Sequence, residues 1–184
     1  MSLLFVNACM REGSRTERLA RMWLERRGRA DVEELDLGKA EVAPLDVPRL
    51  ALYNECVAAH SFEPEMFEFA KQFAAADEIL IAAPLWNYGI PARLHDYLEL
   101  VCTQGLTFDL DETGTYVSLC HARRLTYVMT AGGPEPAPDD DHIFGYVRTL
   151  ATRFWNVPKI ELVAAWCLDF PDVDIDAALE AALG

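Results

Sequence analysis

The chain has 184 residues, 52% of them hydrophobic, which implies one folded domain over 1-184 and excludes a disordered chain. A formal net charge of −14 argues against a sequence-independent grip on nucleic acid and against anionic membrane surfaces, both of which need clustered Lys and Arg. Five cysteines without a Cys-x-x-Cys pair, and four histidines without metal-ligand spacing, argue against a disulfide framework or a metal centre and for a reducing, cytoplasmic setting.

Residues 1–7 lack the basic start and long apolar region of a signal peptide, and no apolar run is long enough to span a bilayer. Leu3-Leu4-Phe5-Val6 reads as the first strand. A polar loop follows, from Asn7 to Thr16. The next helix is marked by Leu19, Ala20, Met22, Trp23 and Leu24, with Ser14 as N-cap, Glu17 completing a capping box, and Gly28 as the stop. Arg18 and Arg21 read as a solvated helix face balanced by Glu12, Glu17 and Glu25. Val32 to Leu37 is the second strand. Residues 38–62 carry Pro44 and Pro48, with a short helix expected only near Asn54 to Ala59. Glu65 to Ala75 is helical, with Met66, Phe69, Ala70 and Phe73 on one face.

Ile79-Leu80-Ile81-Ala82-Ala83 is a buried third strand. It runs into Pro84-Leu85-Trp86-Asn87-Tyr88-Gly89-Ile90-Pro91, and then into a helix with Leu94, Tyr97, Leu98 and Val101 in helical spacing. Residues 105–117 form an extended excursion with a turn near Gly114. Arg124 to Thr130 is the fourth strand, followed by Ala131-Gly132-Gly133-Pro134 and an acidic loop. A helix over 144–155, a fifth strand over 159–164 and a closing helix over 174–183 complete the chain.

Repeated βα units imply an α/β fold, with a parallel sheet and helices on both faces. No Gly-x-Gly-x-x-Gly follows the first strand, so a dinucleotide fold is unsupported. The order 2-1-3-4-5 of a flavodoxin-like three-layer sandwich fits instead. It brings residues 7–16, 84–91 and 130–142 together at the carboxyl ends of the strands. Ser14, Arg15 and Thr16 sit at a helix N-terminus suited to an anion, and Gly132-Gly133 lets backbone approach a planar group. Taken singly, the same residues also fit a plain cap and a plain turn. Together they describe a phosphate at the first loop and a flat heteroaromatic between the other two, the shape of flavin mononucleotide (FMN).

The chain resembles the FMN-dependent NAD(P)H:quinone oxidoreductase and azoreductase family. The motif Pro84-Leu85-Trp86-Asn87-Tyr88-Gly89-Ile90-Pro91 with Leu94 and Tyr97, then Gly105-Leu106-Thr107-Phe108, Ser14-Arg15-Thr16 and Gly132-Gly133, carry the resemblance. It implies that Cys9, Ser14, Arg15 and Thr16 hold the phosphate. It places Pro84, Leu85, Trp86, Asn87, Tyr88, Thr130, Ala131, Gly132 and Gly133 around the ring, and gives Trp86 and Phe108 to the acceptor. NADH or NADPH would be the donor, and quinones, azo or nitro compounds the acceptors. It also implies a homodimer pairing near the helix of Leu94, Tyr97, Leu98 and Val101. Cys9 departs from a frequent Ser, and Ala131 from a frequent Arg. Some relatives use side chains of the third loop to move a proton; here His142 is the one candidate, and it equally fits a plain surface histidine. A flavodoxin-type electron carrier and an NAD(P)H:flavin reductase are the alternatives.

Overall fold

The computed structural model describes residues 1–29, 31–140 and 142–184. In chain order its elements begin with β1 (Leu3–Asn7), α1 (Arg15–Arg26), β2 (Val32–Asp36), α2 (Val47–Ala59), α3 (Glu68–Ala75) and β3 (Glu78–Ala82). They continue with α4 (Ala92–Val101), β4 (Phe108–Leu110), β5 (Tyr116–Ser118), β6 (Arg124–Thr130), α5 (Phe144–Arg153), β7 (Lys159–Ala165) and α6 (Ile175–Ala182). One parallel sheet runs β2-β1-β3-β6-β7, which is the expected order, with β6 and β7 as its fourth and fifth strands.

The apolar runs of β1, β3 and β6 explain why these strands are central, because a parallel strand is covered on both faces. Alternation sends Leu4, Val6, Ile79, Ile81, Leu125 and Tyr127 to one face, against Phe73, Tyr97, Leu98, Val147 and Trp155. It sends Leu3, Phe5, Leu80 and Val128 to the other, against Leu19 and Trp23 of α1 and Leu179 of α6. Helices therefore cover both faces of the flavodoxin-like sheet. Among the described residues no helix is long and apolar enough to cross a membrane.

Three features differ from the sequence reading, while the extended excursion with its turn near Gly114 is as expected. Helix α2 starts at Val47, well before Asn54, because Asp46 caps it (Oδ1 to the Arg49 N–H, 3.0 Å) and Pro48 sits in the first turn, where no donor is needed. None of its residues is buried, so it has no apolar stripe to read. The excursion is an antiparallel hairpin, β4 with β5, closed where the Asp111 carboxylate accepts from the Thr113 and Thr115 N–H groups at 2.8 and 2.9 Å. Arg18 pairs with Asp176 of α6, and Arg21 with Glu17 and Glu34; Glu12 and Glu25 take no part in these pairs. Finally, Leu94, Tyr97, Leu98 and Val101 are fully buried in their own core, so they are not available to a partner.

Candidate active site

Even register at the carboxyl ends of the strands sets the site. Asn7 lies opposite Ala82, and Ala82 opposite Val128. Backbone bonds extend this alignment into the loops: Ala8 N–H to the Ala82 carbonyl (2.8 Å), Leu85 to Thr130 (3.0 Å) and Ala131 to Ala165 (3.0 Å). Each loop consequently leaves the sheet beside the next.

In the first loop, Ser14 caps α1 by accepting the Glu17 N–H on Oγ at 3.3 Å, and its side chain also hydrogen-bonds the Cys9 thiol. The N–H groups of Arg15 and Thr16 have no acceptor among the described residues, as first-turn donors generally do not. They meet the positive end of the α1 dipole. The Thr16 and Thr130 hydroxyls lie 2.6 Å apart and tie the first loop to the third. Burial pushes the Cys9 thiol up to about 12. At neutral pH it is an uncharged group that does not repel an anion.

In the second loop, Trp86 and Gly89 exchange two backbone bonds, at 3.2 and 2.8 Å, around Asn87 and Tyr88. Both central residues have positive φ, 52° and 55°, the pattern of a type I′ turn. Asn tolerates that conformation; a tyrosine there is strained by roughly 1–2 kcal/mol. The turn holds Trp86 and Tyr88 out, 38% and 59% exposed, at the mouth of the loop cluster.

The third loop is gripped by a fourth segment, after β7. The Cys167, Leu168 and Asp169 N–H groups donate to the Gly133, Ala131 and Gly132 carbonyls at 2.7, 3.1 and 3.1 Å. The N–H groups of Gly132 and Gly133 have no acceptor among the described residues. Gly132 is needed for close approach, since a Cβ there would lie 1.9 Å from Asp169 Oδ2. The Asp169 carboxylate then accepts from Arg15 Nη1 at 2.6 Å.

These loops enclose a cavity of about 330 Å³. It is lined by Cys9, Ser14, Arg15, Thr16, Pro84, Leu85, Trp86, Thr130, Ala131 and Gly132, all of them expected from the sequence. Met10, Arg11, Gly13 and Asp169 also line it. The first three fall within the loop singled out by sequence but were not chosen as residues. Asp169 had no cue: its position depends on main-chain pairing with the third loop. Within a chain of net charge −14, two guanidinium groups and one carboxylate line the cavity.

Asn87, Tyr88 and Gly133 belong to the same loops but do not line the cavity. His142 is exposed and also outside the lining. Phe108 is not brought to it either. It follows α4, which leads away from the carboxyl edge of the sheet, and packs on Tyr116 and on Phe154 just past the far end of α5.

The family model of the flavodoxin-like fold matches residues 1–184, the whole chain. The chain belongs to that family. Its similarity extends to FMN-dependent NADH:quinone oxidoreductases. The one from Coprothermobacter proteolyticus is 28% identical, over 94% of this chain and 88% of that protein. A second, from Clostridium perfringens, is 29% identical over 97% and 92%. Among solved structures, the azoreductase from Bacillus anthracis str. Sterne superposes with a TM-score of 0.79 at 27% identity, covering all of this chain and 97% of that one. The cavity lies at the loops beyond the sheet's carboxyl edge, where open α/β sheets bind ligands.

Proposed function

We propose that the chain is an FMN-dependent NAD(P)H:acceptor oxidoreductase, passing two electrons from NADH or NADPH to quinones, azo or nitro compounds. The observation that carries this reading is the cavity itself, whose lining combines anion donors of the first loop with the glycine backbone of the third and the indole of the second. FMN needs a site of that kind. Its phosphate requires several donors and no nearby carboxylate left unpaired. The Arg15 and Thr16 N–H groups, the Ser14 hydroxyl and the Arg15 guanidinium supply the donors, and Cys9 stays neutral. Its ring requires a flat slot with a backbone donor, which the unpaired Gly132 N–H supplies beside Pro84, Leu85 and Trp86. The residues present therefore fit the cofactor.

Bound FMN would supply the redox chemistry, taking up a hydride and giving it to an acceptor. The protein's part is binding and electrostatics. The unpaired amide of Gly132 is a fixed dipole that would favour negative charge on a reduced ring, without reorganisation during the reaction. Pro84 and Leu85 exclude water from the slot, and Trp86 at its mouth offers a face for a planar partner to stack on. Donor and acceptor share one flavin face, so the two bind in turn. Among the described residues no side chain lining the cavity is an evident general acid; His142 stays a proposal for that role.

A cytoplasmic setting fits the five free cysteines. A homodimer is part of the same reading. It would cover apolar residues left exposed on α2 and on the hairpin, namely Val47, Leu50, Leu52, Leu110, Tyr116 and Val117. One chromatographic run with absorbance and light-scattering detection tests both points. A yellow peak at twice the chain mass is expected after loading with FMN. A colourless peak in excess FMN removes the flavin reading, and a monomer removes the dimer.

A further inference from the structure

Asp169 is the single carboxylate lining the cavity among the described residues, and its placement is over-determined. Three main-chain bonds fix the segment 167–169 against the third loop, and the missing side chain of Gly132 makes room for the carboxylate. From there it reaches Arg15, the first residue of α1, across the cavity end that holds the unpaired amides. The Arg15 and Asp169 side chains are 41% and 71% exposed and both line the cavity, so the bridge lies at its solvent-facing part.

We infer that Asp169 is a selectivity residue that restricts the site to a flavin mononucleotide and discriminates against flavins extended by a second phosphate. This rests on the flavin reading proposed above. A phosphate seated on the Arg15 and Thr16 amides would be terminal in FMN, with no further group to carry past the bridge. In a dinucleotide the same phosphate continues into a second one, which must leave through the mouth. There it displaces the bridge and meets the Asp169 carboxylate. The bridge also commits the charge of Arg15, so less of it remains for a second anion. An exposed pair of this kind is individually weak, which makes it a filter between ligands rather than a lock.

Calorimetric titration of the apo-protein with riboflavin, FMN and FAD tests this, using the parent, Asp169→Asn and Asp169→Ala. The exposed position of Asp169 lets both variants fold. The parent is expected to prefer FMN over FAD. Asp169→Ala, which removes both charge and bridge, should narrow that preference by about tenfold, the effect of one unit charge near a phosphate at the mouth. Asp169→Asn should narrow it less, because the amide can still bond Arg15. Riboflavin, which has no phosphate, should bind all three proteins alike. An unchanged FMN-to-FAD ratio in Asp169→Ala, or a riboflavin affinity that moves with the others, overturns the inference while leaving the flavin reading in place. A parent that binds no flavin overturns both.

Discussion

Replacing Ser14 with aspartate should nearly abolish FMN binding and leave the fold intact. The Ser14 side chain lines the cavity and accepts the Glu17 N–H at 3.3 Å, so it is both a cap and a pocket residue. A carboxylate there would face a phosphate of like sign in a partly desolvated site. At an effective dielectric of about 20 and a separation of about 4 Å the repulsion is about 4 kcal/mol, roughly a thousandfold in dissociation constant. Aspartate is itself an excellent N-cap, so the melting temperature should hardly move. Ser14→Ala removes one donor and the cap, and should cost only about 1–2 kcal/mol in binding or stability. If Ser14 only capped the helix, the ranking would invert, with Asp tolerated and Ala worse. Dissociation constants and melting temperatures of both variants separate these cases.

Phe73→Ala should have the opposite profile, a large loss of stability with FMN affinity retained. Phe73 and Trp155 are buried, 0% and 1% exposed, with ring centroids 4.5 Å apart. They lie near the end of α3 and just past α5, where the chain turns back into β3 and β7, at the edge of the sheet away from the cavity. Truncating a buried phenylalanine costs about 3–5 kcal/mol through lost contacts and a residual cavity. For a chain of this size that lowers the melting temperature by roughly 10 °C. FMN affinity measured well below the transition should match the parent. Affinity falling in step with stability would show that the pocket depends on core packing at the far edge.

The residues made the sheet legible, and the reason is local. β1, β3 and β6 are short apolar runs bounded by polar loops, and the connections between them are long enough for helical crossovers. The three loops could be named because strand order alone brings them together. Helix α2 was only partly legible: it buries no residue, and Pro48 reads as a breaker until its place in the first turn is known. The turn at Asn87 and Tyr88 was hidden because a left-handed tyrosine runs against local propensity. Asp169 is 154 residues from Arg15 in sequence, and nothing local marks it as a neighbour. The resemblance placed Phe108 at the acceptor, yet the ten residues of α4 carry the chain about 15 Å from the cavity edge before Phe108 is reached. In this chain the ring rests on Tyr116 and Phe154. Phe108 therefore lies outside the cavity lining of its own chain.

Steady-state oxidation of NADH by the FMN-loaded protein, with a quinone as acceptor and free FMN at the same concentration as control, tests the assignment most directly. Turnover well above the control is expected, with NADPH run in parallel to identify the preferred donor. Double-reciprocal plots at several quinone concentrations should give parallel lines, because in the proposed reading one flavin face serves donor and acceptor in turn. Turnover no faster than free FMN would contradict the assignment as an oxidoreductase. Intersecting lines would contradict the shared flavin face.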